Sequence, residues 1–161
     1  MNLLAMILLP VALVIPTTSH ANGDCDKPID GVQIIYSGVD ADRARDWGYV
    51  YGKYVLINGS KKTLRFATYK GEREPVKLYP LVFTIEKQTV DGWSDDVTVI
   101  DHPEAATATV TVPPGDRLTF LGQSRPAGPD TYRAKIRQMR GCWLPSEPFQ
   151  VSNATESSGP H

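Results

Sequence analysis

The residues of this chain best able to do chemistry are few, and their spacing argues against catalysis. A Ser-His-Asp hydrolase needs an imidazole beside its nucleophile. The chain has three histidines: His20 lies in an apolar leader, His161 is terminal, and His102 sits in "DHPE", a turn-like setting that reads as a loop residue. Together with only two cysteines, this leaves no familiar zinc spacing. No glycine-rich phosphate cradle is present, since "GYVYGK" and "PPGD" are strand and turn material. No catalytic residue, metal site or cofactor is therefore expected, and the chain reads as a non-enzyme.

Carboxylates do gather around one hairpin: Asp91, Asp95, Asp96, Asp101 and Glu104. Oxygen-rich loops can hold calcium, but this spacing matches no EF-hand loop, so solvated turn residues are the plainer reading. A carboxylate pair for glycoside hydrolysis depends on a spatial separation that one sequence does not show. Trp93, between Gly92 and Ser94 in this acidic turn, has the context of an exposed aromatic anchor for a partner. With Asp95 and Asp96 it forms one half of a candidate binding surface, for a protein or alternatively a carbohydrate.

The other half comes from "GPDTYRAKIRQMRGCW", residues 128–143. If Tyr132, Ala134 and Ile136 point inward, strand alternation puts Arg133, Lys135 and Arg137 together on the opposite face. Such a ladder is either a solvated sheet face with acidic cross-strand partners or a strip for an acidic partner surface. It holds no catalytic base.

The elements that would carry these residues are strands. "VQIIY" (32–36) is short, and "YVYGKYVLI" (49–57) is apolar on both alternating faces, as a strand covered from both sides would be. Asn58-Gly59 then suits a tight hairpin turn into "KTLRFATY". In "LVFTIEKQTV" the residues Leu81, Phe83 and Ile85 share a face, and Asp91-Gly92 signals a second hairpin. "AATATVTV" alternates most cleanly: Ala106, Ala108, Val110 and Val112 on one side, Thr107, Thr109 and Thr111 on the other. Being uncharged and rich in β-formers, it is prone to edge pairing, with Pro113 and Pro114 as gatekeepers behind it. "RLTFLG" and "EPFQV" complete the set. The one short helix candidate is "DADRARDWG", 40–48.

Some seven to eight short strands joined by Gly, Pro and Asp turns predict an all-β fold, an antiparallel β-sandwich. "YVLINGSKKTLRFA", "DGWSD", "VTVPPGDRLTF", "DTYRAKIRQ" and "SEPFQV", across residues 49–152, resemble small exported bacterial domains of the immunoglobulin-like or fibronectin type III-like class. The resemblance concerns turns and alternation and says little of function. It implies a tyrosine corner at Asp130 and Tyr132, the phenol bonding back to upstream backbone. It departs from antibody domains in having Ala134 where their second core cysteine stands.

The chain's ends set the expected compartment. Residues 3–15 are apolar apart from one proline, and no charge precedes Asp24. With Ser19 and Ala21 at −3 and −1, the expected reading is a signal peptide over 1–21, cut after Ala21, and no stable membrane anchor. A single domain (22–152) and a polar tail (153–161) follow. Cys25 and Cys142 are then expected to form one disulfide, closing a loop whose constraint is worth about 4–5 kcal/mol in the chain-entropy model. The net charge of −1 gives no reason to expect nucleic acid or a membrane surface as partner. The function expected is an exported, secreted or periplasmic module that binds another protein, such as an envelope inhibitor or immunity protein. A subunit of a surface assembly and a carbohydrate-binding domain are the alternatives.

Overall fold

The computed structural model describes residues 28–40, 50–96, 103–139 and 141–152. The expected leader, Cys25, the helix candidate beyond Asp40, Asp101, His102 and the polar tail with Asn153 all lie outside the described residues.

The described chain is all-β. Its strands are β1 (Val32–Val39), β2 (Tyr51–Asn58), β3 (Leu64–Thr68), β4 (Val76–Lys77), β5 (Phe83–Thr89), β6 (Gly92–Asp95), β7 (Ala108–Val112), β8 (Arg117–Gln123), β9 (Thr131–Arg137), β10 (Trp143–Pro145) and β11 (Phe149–Gln150). Eleven strands exceed the seven to eight expected, because two-residue strands such as β4 give no periodicity. "GCWLPSEPFQV" also divides at Ser146, whose hydroxyl accepts the Ala134 N–H in place of a backbone carbonyl. Nor is pairing wholly antiparallel, since β4 runs parallel to β8.

One sheet has the order β1-β2-β8-β4, a second the order β10-β9-β5-β6 with β11 also on β9, and β3 pairs with β7 in a third of two strands. The first two face each other across an aromatic core. Tyr54 of β2 lies 5.3 Å from Phe83 of β5 and 5.9 Å from Phe149 of β11, centroid to centroid. Tyr36 of β1 stacks on Phe149 at 4.2 Å. Such rings stabilise by about 1.5–3 kcal/mol each through area burial, with more from edge and offset contacts.

Alternation decides which residues reach this core. In β2, Gly52, Tyr54, Leu56 and Asn58 are buried while Tyr51, Lys53, Val55 and Ile57 are half-buried, so the strand is not equally covered on both sides as its composition suggests. Leu81 does not join Phe83 and Ile85. Pro80 opens a 3₁₀ turn, Pro80–Val82, which leaves Leu81 55% exposed.

Turn chemistry is met in one place and overturned in another. β5 and β6 form the second hairpin, with Thr89 opposite Gly92 and φ of +120° at Gly92. The turn is thus Val90-Asp91, one residue earlier than Asp91-Gly92. At Asn58-Gly59 there is no hairpin: β2 pairs with β1 and β8, and β3 leaves for β7. Asn58 pins this corner. Its buried amide nitrogen donates to the carbonyls of Lys62, Val112 and Pro113 at 2.8–3.0 Å, and its Oδ1 accepts from Ser60. Asn58-Gly59-Ser60 has the form of an N-glycosylation acceptor, and in the folded chain its amide is buried and fully engaged.

Candidate functional site

The outward face of the β10-β9-β5-β6 sheet gathers five of the six residues expected to bind a partner. In β9, Tyr132, Ala134 and Ile136 are buried toward the core, which turns Arg133, Lys135 and Arg137 the other way. In β5 the same alternation brings Glu86 opposite Arg133 and Thr84 opposite Lys135. In β6, Trp93 stands opposite Gln88. In β10, Trp143 stands opposite Arg137.

These side chains interlock in one row. The Arg133 guanidinium lies 4.7 Å from the Trp93 ring centroid. Its Nε donates to Glu86 Oε2 at 2.5 Å, and the other Glu86 oxygen accepts from Lys135 Nζ at 2.7 Å. The Lys135 ammonium and Arg137 guanidinium both approach Trp143, at 5.7 and 5.2 Å from its centroid. The sequence is aromatic, cation, anion, cation, aromatic, cation. Glu86 and Trp143 are the members sequence reasoning missed as site residues. Glu86 was visible as an outward residue of its strand, but its two partners depend on cross-strand register.

The ladder is not the open, solvated row that its charges suggest. Lys135 is 8% exposed and Glu86 6%, because the long stems lie along the sheet and the indoles cap them. Burial alone would raise the Glu86 carboxyl. The hydrogen bonds and charges of Lys135 and Arg133 outweigh it and hold the group below the usual carboxylate range. A carboxylate kept ionised between two cations is poorly suited to donate or shuttle a proton.

Asp96 is the candidate that separates, drawn to Arg125 Nε at 2.8 Å; Asp95, exposed on β6, stands opposite Glu86 on the same face as Trp93. Among the described residues no three acidic, histidine or cysteine groups converge on a metal position. The tyrosine corner departs from its expected form: the Tyr132 hydroxyl meets the Asp130 carboxylate at 3.4 Å rather than upstream backbone, and Lys87 Nζ holds the same oxygen at 2.8 Å. Trp93 is half-buried, with one face under Arg133. Cys142 is the one cysteine among the described residues, and none there is free. A cleft of about 880 Å³ beside Gly31, Lys61, Lys62 and Cys142 offers exposed lysines and no converging polar set.

No family model matches the chain, and no curated protein matches it. Among solved structures it is similar to the X-ray structure of Northeast Structural Genomics Consortium target SoR45, at 11% identity and a TM-score of 0.33, over 81% of this chain and 89% of that one. A likeness of that size carries no argument about function.

Proposed function

We propose that the chain is an exported, non-enzymatic binding module whose β9 face engages an acidic surface of another protein, as an envelope inhibitor or immunity protein would. The observation that carries this reading is the ladder Trp93–Arg133–Glu86–Lys135–Trp143–Arg137. Within it Glu86 holds Arg133 and Lys135, and Arg137 is exposed at the end of β9, so the strip presents fixed cationic groups in a chain whose net charge is −1. The cations are also held in place before any partner arrives, which lowers the entropy cost of binding. Electrostatic complementarity of this kind favours encounter rate and specificity.

On this reading the two facing sheets belong to an immunoglobulin-like or fibronectin type III-like sandwich, and Cys142 pairs with Cys25 after removal of residues 1–21. Support for the pairing is that no described cysteine is free and that the chain has two. Intact-mass measurement of secreted material, with and without alkylation, reads it directly: two alkylated thiols in the unreduced protein would remove the disulfide from the proposal.

The functional test uses the mature chain as bait against native envelope extract, alongside Arg137→Glu. Arg137 is exposed, so reversing its charge tests the strip without opening the core. The expected result is one acidic partner retained by the wild type and lost, at least tenfold, with the variant. Equal capture by both, or a basic partner, would overturn the reading. A glycan array that binds the wild type and not Trp93→Ala would replace it with carbohydrate recognition.

A further inference from the structure

Among the described residues, nothing closes one side of the β3–β7 sheet. On the far side of β3, the Arg65 carbonyl accepts the Met139 N–H and the Ala67 carbonyl accepts the Tyr79 N–H, both at 2.9 Å. Facing residues of an antiparallel pair turn their backbone groups either toward each other or both away. Arg65 faces Thr111 and Ala67 faces Thr109. Since Arg65 and Ala67 point away from β7, Thr111 and Thr109 point away from β3. Their N–H and C=O groups line the outer edge of β7, and among the described residues no hydrogen bond closes them.

Exposed edges are ordinarily blunted by a lysine, a proline or a bulge within the strand. β7 has none of these: it reads Ala-Thr-Val-Thr-Val and its register with β3 is unbroken. The nearest blocking residues are Pro113 and Pro114, just beyond its end.

We infer that this edge pairs with the same edge of a second copy, antiparallel, about a two-fold axis through Val110. Thr109 of each copy then faces Thr111 of the other, and each facing couple exchanges two N–H···O bonds. The two small sheets become one, in the order β3-β7-β7-β3. Three features favour a copy over an unrelated strand. The outward groups at 109 and 111 are symmetric about Val110, so the edge is its own complement. No charged residue lies between 105 and 112, so the axis brings no like charges together. The far side of β3 is already occupied, so this sheet offers one edge per copy and pairing closes at two chains instead of growing into a fibre. The inference is independent of the acidic-partner reading, which concerns another sheet.

The test is sedimentation equilibrium of the whole mature chain over a wide concentration range, with amide hydrogen exchange at both ends of that range. Average mass is expected to rise from one chain to two and stop there, with the Thr109 and Thr111 amides becoming protected only at high concentration. Thr111→Pro removes an outward N–H while sparing the β3 ladder, and Thr109→Lys/Thr111→Lys places like charges across the axis. Both variants are expected to stay monomeric, and thermal unfolding of the lysine variant checks that the fold survives. A wild type that remains monomeric throughout, a dimer in which those two amides stay unprotected, a dimer that survives the lysine pair, or growth beyond two chains would each overturn the inference.

Discussion

The Arg133 guanidinium covers one face of Trp93, 4.7 Å from its ring centroid, although their strands β9 and β6 do not pair. Both flank β5, and the contact reaches diagonally across it. A double-mutant cycle of Trp93→Ala and Arg133→Ala is expected to give a coupling of about 0.5–1 kcal/mol, the range for a partly exposed cation–π pair. The cycle is needed because Arg133→Ala alone also removes a bond to Glu86. Coupling indistinguishable from zero in urea unfolding would mean that the stacking adds nothing.

Acid should weaken the ladder. The Glu86 carboxyl titrates below its ordinary range when folded, so its contribution is complete above the unfolded value of about 4.3 and is lost as pH falls through the folded value. Glu86→Gln is expected to cost roughly 2 kcal/mol near neutral pH. That is less than breaking a fully buried pair, because the Arg133 side chain keeps 20% exposure. Unfolding free energies of wild type and variant should converge as pH falls through the lowered folded value; parallel curves would show that Glu86 is not the titrating group.

Gly122 of β8 is a packing requirement. A Cβ there would overlap three carbons along one edge of the Phe83 ring, and Phe83 is held in the core against Tyr54 and Phe120. Gly122→Ala is expected to destabilise by about 1–3 kcal/mol, the range for overpacking, visible as a lower midpoint in thermal unfolding. An unchanged midpoint would mean that the ring moves aside without cost.

Asn58 should behave as a structural amide. Asn58→Asp keeps the size and removes the donors, leaving three carbonyls facing a carboxylate. A loss of roughly 2–3 kcal/mol is expected, from the cost of unsatisfied buried polar groups. Ser60→Ala, which removes one hydroxyl from the same corner, should cost about 1 kcal/mol. Similar small effects for both would show that the corner is held by its backbone bonds alone.

Much of this architecture is legible where alternation is strict and one face is buried. Val110 and Val112 against Thr109 and Thr111, or Tyr132 and Ile136 against Arg133 and Arg137, declare their faces without a partner strand. Partners are another matter. Nothing local ties Glu86 to Arg133, because register between distant strands is set by the whole core. The Asn58-Gly59 pair misleads for a related reason: a hairpin and an inter-sheet corner draw on the same turn residues, and only the destination of the next strand tells them apart. At Leu81 the period fails because Pro80 starts a turn before the strand begins.

The Tyr36–Phe149 stack brings the first described strand against the last, and the Glu147 N–H reaches the Ile34 carbonyl at 3.2 Å across the same seam. Closure of this seam thus awaits residues 147–149, more than a hundred positions after the strand they seal. Until then a growing chain has an unsealed flank, and long-range pairing of this kind forms slowly.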